Sequence, residues 1–293
     1  MSLRLRAELV LILIALIWGA MFVVVKSALA DASTLTFLAI RFSLATLFLF
    51  LVYRTRLTSA IPRGRAWLGG AVCGMFLFVG FALQTAGLRS TSASNSAFLT
   101  GLYVVLVPVF ASIYERKRVG RVEWSACALA FAGTALMTGL GLAPLNHGDL
   151  LTIGCAAAFS AHIVAVAHWS GRINYEWLTM LQVAGVALLS LSSFWWAETP
   201  AINWTPRLIA ALLVTSALAT ALCFALYTWA QRHTTATRAA LLFALEPVFA
   251  GLVAWAFAGE RWTIFSLAGA GLILASIVMA ELKPPPISEK PGP

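Results

Sequence analysis

Apolar runs long enough to cross a bilayer fill almost the whole of this 293-residue chain, and that leaves few architectures open. Hydrocarbon offers a backbone amide no hydrogen-bond partner, so a spanning segment must pair its amides internally as a helix or close into a barrel. A helix needs about 20 apolar residues to cross; a barrel strand alternates with period two. The runs here are long and do not alternate. Ten membrane helices are therefore expected, at residues 8–25, 34–53, 66–88, 95–114, 122–140, 149–168, 176–196, 206–230, 237–257 and 264–282. Only 11% of residues are charged against 61% hydrophobic, where a soluble domain carries roughly a quarter charged. The fold class expected is an all-α membrane protein.

In a soluble chain a net charge of +9 would suggest a nucleic-acid partner. Its placement says otherwise. With the N-terminus cytoplasmic, the inside segments hold Arg4, Arg6, Arg54, Arg56, Arg63, Arg65, Arg116, Lys117, Arg118, Arg121, Arg172, Arg232, Arg238, Lys283 and Lys290. The outside segments hold Lys26, Arg89, Arg207 and Arg261, a ratio of 15 to 4. This positive-inside bias predicts both termini in the cytoplasm, in a bacterial inner membrane. The first run is too long for a signal peptide and lacks a clear cleavage site, so it is expected to remain as a helix. The four cysteines all fall inside predicted spans without a CxxC pair, and are read as small packing residues.

The chain repeats itself. At an offset of 143, Ala82-Leu83 meets Ala225-Leu226, Thr85 meets Thr228, Arg89 meets Arg232, Thr91 meets Thr234, and Arg118 meets Arg261. Earlier spans match more weakly near an offset of 141: Trp18-Gly19 meets Phe159-Ser160 and Arg41 meets Gln182. The predicted units are 1–142 and 143–282, followed by a proline-rich, disordered tail at 283–293. Five spans is an odd number, so the second copy lies inverted in the membrane. Inverted repeats mark many secondary transporters, whose solute sites lie near the midplane where the copies meet.

The stretches at 85–137 and 228–279 carry further marks, among them Leu245-Glu246-Pro247-Val248 and Gly259-Glu260-Arg261, with Trp18-Gly19 and Arg41-Phe42 upstream. On these residues the chain resembles the EamA type of the drug/metabolite transporter superfamily over nearly its whole length. The resemblance implies ten helices in inverted repeats and export or exchange of metabolites; among its branches, a YddG-type aromatic amino-acid exporter is the expected one. The halves differ, since Lys117 stands where Glu260 stands in the second copy, and Pro108 lies four residues beyond the position matching Pro247.

Polar groups inside a membrane are costly and each needs an account. Glu246, beside Pro247 in the ninth span, either binds a substrate amine or carries a proton, or stays protonated against a neighbouring helix. Pro247 is expected to break that helix and free the carbonyl of Phe243. Tyr103 occupies the matching place in the first copy, and Gln84 pairs with Tyr227 by the repeat. These four, with His162 and the aromatic side chains of Trp18, Phe98 and Phe243, are the predicted substrate-binding residues. His162 alternatively bonds a neighbouring helix. Arg41 pairs with Glu246, meets a substrate carboxylate or locks packing. Arg238 is read as a snorkelling anchor. The glycines Gly70, Gly74, Gly80 and Gly271 are read as packing devices, with a sliding or dimer surface open.

No P-loop, HExxH or GxSxG motif occurs, so no catalytic residue, metal site or cofactor is expected. The reading is a carrier of a small organic solute in the lipid bilayer, as a monomer or weak homodimer without nucleic acid. A channel, or an exporter of other metabolites or drugs, remains the alternative.

Overall fold

The computed structural model describes residues 2–59, 64–116, 119–138, 145–258 and 262–282. Among them the regular elements are all helical; extended pairing is confined to one isolated bridge, Ala32 with Ile202. The helices are α1 (Leu3–Ala28), α2 (Thr34–Ser59), α3 (Arg65–Gly87), α4 (Ala93–Thr100), α5 (Tyr103–Glu115), α6 (Arg121–Thr138), α7 (His147–Trp169), α8 (Tyr175–Ala197), α9 (Pro206–Val214), a π-helical stretch (Thr215–Leu222), α10 (Cys223–Gln231), α11 (Ala236–Phe243), α12 (Glu246–Ala258) and α13 (Ile264–Leu282). Eight stretches are long and apolar enough to cross a membrane, counting α4–α5, α9–α10 and α11–α12 as one each. The tail, Lys117, Glu260 and the Arg118–Arg261 match lie outside the described residues.

Two predicted spans prove to be broken helices. The fourth divides at Gly101–Leu102 and the ninth at Ala244–Leu245, at positions 143 residues apart. The N-termini of α4 and α11 are also capped alike: the Ser92 and Thr235 hydroxyls accept from Asn95 N and Arg238 N, and spare each helix end one orphan donor. The break in the ninth span precedes Pro247 rather than falling on it. Pro247 is the second residue of α12, a first-turn position that tolerates a residue without an N–H. The π-helical stretch in the eighth span carries no signal in the sequence.

Each main packing pair has a partner related by the repeat. α3 lies on α7 as α10 lies on α1; α4 and α5 lie on α7 as α11 and α12 lie on α1. α2 pairs with α8 and α6 with α13, each with its own equivalent. The first helix of each repeat thus packs into the other repeat's helices. The glycine stripe of α3 is used within the chain. Gly70 lies under Leu181, Gly74 faces Gly185, and Gly80 lies under Phe159, so this face is a packing surface and not a dimer surface. In α13 the close approach is made by Gly269 against Gly133; Gly271, the predicted contact, faces open space.

The molecule is apolar outside as well as within. Val52, Leu188 and Phe265 are 71%, 68% and 62% exposed, as expected where hydrocarbon chains replace water. Trp195, Trp196 and Trp204 cluster at one end of the bundle, where amphipathic rings suit a headgroup layer. Several buried hydroxyls bond to their own helix, such as Thr134 to Ala130 O and Ser160 to Ala156 O.

Candidate functional site

Five helices and two helix breaks surround one cavity of about 690 Å³, its open side included. On α1 the lining residues are Trp18, Met21, Phe22 and Val25, one helical face by their spacing of three and four. α7 presents Phe159, His162 and Ile163 in the matching register, 141 residues on. α3 contributes Leu77, Phe81, Gln84 and Leu88; α10 contributes Phe224 and Tyr227; α2 contributes Arg41. The breaks add Thr100 and Tyr103 from one span, and Phe243 and Glu246 from the other.

The cavity obeys the repeat closely. Trp18 matches Phe159, Met21 matches His162, and Phe22 matches Ile163. Phe81 matches Phe224, Gln84 matches Tyr227, Thr100 matches Phe243, and Tyr103 matches Glu246. The aromatic walls pack on one another: the Trp18 ring lies 5.2 Å from Phe243 and 5.4 Å from Phe224, and Phe81 lies 5.2 Å from Phe159.

Broken helices supply the polar groups. Tyr103, the first residue of α5, donates its hydroxyl to Phe243 O at 3.0 Å. That carbonyl is the one Pro247 leaves without its helical donor, so a side chain at the first break satisfies the second across the cavity. The Tyr103 hydroxyl also neighbours the Glu246 carboxyl, which is 4% exposed at the start of α12. Trp18 Nε1 donates to Ala219 O in the π-helical stretch at 2.9 Å, using a carbonyl that the widened turn offers sideways. Gln84 Nε2 donates to Thr100 Oγ1 at 3.2 Å.

His162 lies 2.7 Å from Gln182 Oε1, and Gln182 Nε2 donates to Thr228 Oγ1 at 2.9 Å, a chain from α7 through α8 to α10. Arg41 does not pair with Glu246. Its Nε donates to Thr220 Oγ1 at 2.9 Å and its guanidinium carbon lies 4.9 Å from the Phe81 ring centre. Among the described residues it forms no salt bridge with a carboxylate. A cation and a carboxyl therefore line the same cavity without neutralising each other by direct contact.

Of the predicted binding residues, Trp18, Gln84, Tyr103, His162, Tyr227, Phe243 and Glu246 meet here. Phe98 does not. It is buried away from the cavity and packs near Phe131, with ring centres 6.3 Å apart. It is in α4, one helix face away from Thr100. Sequence reasoning missed Met21, Phe22, Phe81, Phe159 and Phe224. The repeat register, applied outward from Trp18 and Gln84, would have reached most of them.

Acidic residues tie each exchanged first helix into its new bundle. Glu8 of α1 accepts from Arg238 Nε of α11 at 3.1 Å, both side chains buried. Arg238 is thus a packed ion-pair partner and not a snorkelling anchor. The equivalent of Glu8 is Asp149 of α7, which accepts from Asn95 of α4, the equivalent of Arg238, and from Thr91 Oγ1. At the far end of the cavity, Lys26 Nζ of α1 donates to Leu88 O at 2.8 Å, at the C-terminus of α3.

A multi-pass helical bundle with a buried, two-fold cavity between exchanged bundles belongs to the membrane transporter class. The EamA-like transporter family matches residues 5–139 and again 146–282, and the chain belongs to that family. It is 34% identical to an uncharacterised transporter of Archaeoglobus fulgidus, over 96% of this chain and 87% of that one. It is 28% identical to the uncharacterised transporter YvbV of Bacillus subtilis, over 95% and 92%. A WAT1-related chloroplastic protein of Arabidopsis thaliana is 24% identical over 89% of this chain and 66% of its own length. A solved crystal structure shares the fold with a TM-score of 0.78 at 17% identity, over 95% of this chain and 98% of that one.

Proposed function

We propose that this chain is a secondary transporter that exports amino acids with large neutral side chains, aromatic ones foremost, across a bacterial inner membrane by alternating access. The observation that carries the solute class is the pairing of Arg41 and Glu246 in one cavity without a direct bond between them. A zwitterion offers each a partner: its carboxylate to the guanidinium, its ammonium to the carboxyl. The rings of Trp18, Phe81, Phe159 and Phe224 offer an apolar side chain the rest of the wall. A mixed lining with a few convergent polar groups is the ordinary make-up of a small-molecule site.

In this reading α6 and α13 complete ten spans, both termini are cytoplasmic, and residues 1–142 and 143–282 are the inverted units. The positive-inside count supports that orientation, and the odd number of spans per repeat supports the inversion. The functional unit is a monomer or weak homodimer. A carrier is favoured over a channel because the side chains toward both ends are buried, Val25 and Leu88 on one side and Val166 and Gln231 on the other.

The test is counterflow of labelled phenylalanine, with lysine, glucose and a dye as comparators, in proteoliposomes. Glu246→Gln is expected to lower phenylalanine flux more than tenfold, the loss of about 1.4 kcal/mol or more of solute interaction, while its unfolding midpoint stays at the wild-type value. Wild-type flux from that variant would remove Glu246 from the site. Flux of glucose alone would remove the amino-acid reading.

A further inference from the structure

The two repeats furnish one wall of the cavity differently. Phe81 and Phe224 are repeat equivalents, with ring centres 6.1 Å apart. Beside Phe81 stands the Arg41 guanidinium. The equivalent of Arg41 is Gln182, which does not line the cavity. Its amide is turned to His162, and the His162 ring lies 6.1 Å from Phe224 and 6.0 Å from Tyr227. The equivalent of His162 is Met21, an apolar side chain. One repeat therefore sets a guanidinium, which only donates, against the aromatic wall, and the other sets an imidazole there.

The bonds behind His162 decide which way that imidazole is protonated. The Thr228 hydroxyl donates to Phe224 O at 2.8 Å, so its oxygen is left to accept from Gln182 Nε2. Gln182 then presents Oε1 to His162 Nε2 at 2.7 Å. A carbonyl oxygen accepts and does not donate, so Nε2 carries the proton. No carboxylate bonds the ring among the described residues, and in the neutral ring Nδ1 is a bare lone pair. Nδ1 makes no hydrogen bond among the described residues, and the Tyr227 hydroxyl on the adjoining ring does not serve it. The only partner open to Nδ1 is what the cavity admits. The other acceptors lie at the helix breaks, with Gln84 bonded to Thr100 and Glu246 beside Tyr103. The chain through Gln182 accounts for Nε2 as a tie between α7, α8 and α10; it gives Nδ1 no task.

We infer that His162 Nδ1 reads a hydrogen-bond donor on the solute's aromatic side chain, so that the carrier prefers an indole or a phenol to a plain phenyl ring. The ring of such a solute lies against Phe224 and Tyr227, and its N–H or O–H points at Nδ1. Gln182 is the positioning residue, since it fixes the proton on the far nitrogen. This rests on the amino-acid reading and deepens it, by naming the feature of the side chain that is recognised.

Two isosteric solutes test it: tryptophan and 3-benzothienylalanine, in which sulfur replaces the indole N–H. Each competes with labelled phenylalanine for counterflow in proteoliposomes. With the wild-type protein, tryptophan is expected to compete at about tenfold lower concentration, the scale of one net hydrogen bond. In His162→Met, which copies the residue of the other repeat, the two are expected to compete equally. A purely structural His162 would weaken both solutes alike and keep their ratio, and that result would overturn the inference. Equal competition in the wild-type protein would overturn it without any variant. Should His162→Met fail to fold, nitrogen-15 NMR of imidazole-labelled protein, with His147, His168 and His233 replaced by glutamine, reads the same contact. Tryptophan, and not 3-benzothienylalanine, is expected to move the Nδ1 resonance, and an unmoved resonance would overturn the inference. Phenylalanine counterflow with no preference between the two competitors sinks this inference alone; no counterflow of any amino acid sinks the transport reading beneath it.

Discussion

What a carboxyl does in this chain depends on what surrounds it. Glu246 sits in a helix break among aromatic rings, poised toward a cavity. Asp31, in the connection between α1 and α2, is bound to structure: its Oδ2 accepts from Thr205 Oγ1 at 2.7 Å and from Arg207 Nε at 2.9 Å. The Thr205 hydroxyl, and then the Arg207 guanidinium, hold its pKa below the ordinary 3.8. A carboxyl whose folded pKa is depressed contributes stability that is present above the unfolded value and is lost as pH falls through the folded one. The unfolding midpoint is therefore expected to show no Asp31-dependent change from pH 8 to 5. Below pH 3.8 the wild-type protein is expected to lose its advantage over Asp31→Asn. A constant difference between the two down to pH 2 would show that the charge of Asp31 is not what holds that connection.

At the level of helices, the two breaks and one glycine set the site. α1 crosses α12 so closely at Gly19 that a Cβ there would lie 2.6 Å from Glu246 O, a backbone atom that cannot yield. The smallest side chain at this position pushes α1 away from the break that presents Glu246. Overpacking of this kind costs about 1–3 kcal/mol. Gly19→Ala is expected to lower the unfolding free energy by about that amount and to reduce flux together with it, whereas Gly271→Ala, facing open space, changes neither. Equal behaviour of the two alanines in denaturant titration would remove the close approach as the cause.

Across the whole molecule, the bundles that pack together are not the units that repeat. α1 packs with α10, α11 and α12; α7 packs with α3, α4 and α5. The Glu8–Arg238 contact lies within one of these bundles, while Val25 and Leu88, which both line the cavity, stand on different ones. Bridging Glu8→Cys to Arg238→Cys with a short bis-maleimide is therefore expected to leave most of the flux, and bridging Val25→Cys to Leu88→Cys to abolish it. Loss from both bridges alike, in the same counterflow assay, would mean that α1 moves relative to α11.

The sequence alone determined the solvent, the element type and the repeat. Long apolar runs require helices whatever their neighbours are, and an offset of 143 that carries polar residues with apolar ones can be read without coordinates. Tyr103, Gln84, Tyr227 and Glu246 could be found for the same reason, since a polar group in hydrocarbon is conspicuous. Only the tertiary structure decided the remainder. Phe98 and Phe81 are alike as phenylalanines in apolar helices, and the packing of neighbouring helices determines which ring meets the cavity. The partners of Arg238 and Arg41 lie 230 and 179 residues away along the chain. The exchange of α1 and α7 between repeats follows from contacts between segments that share no local pattern.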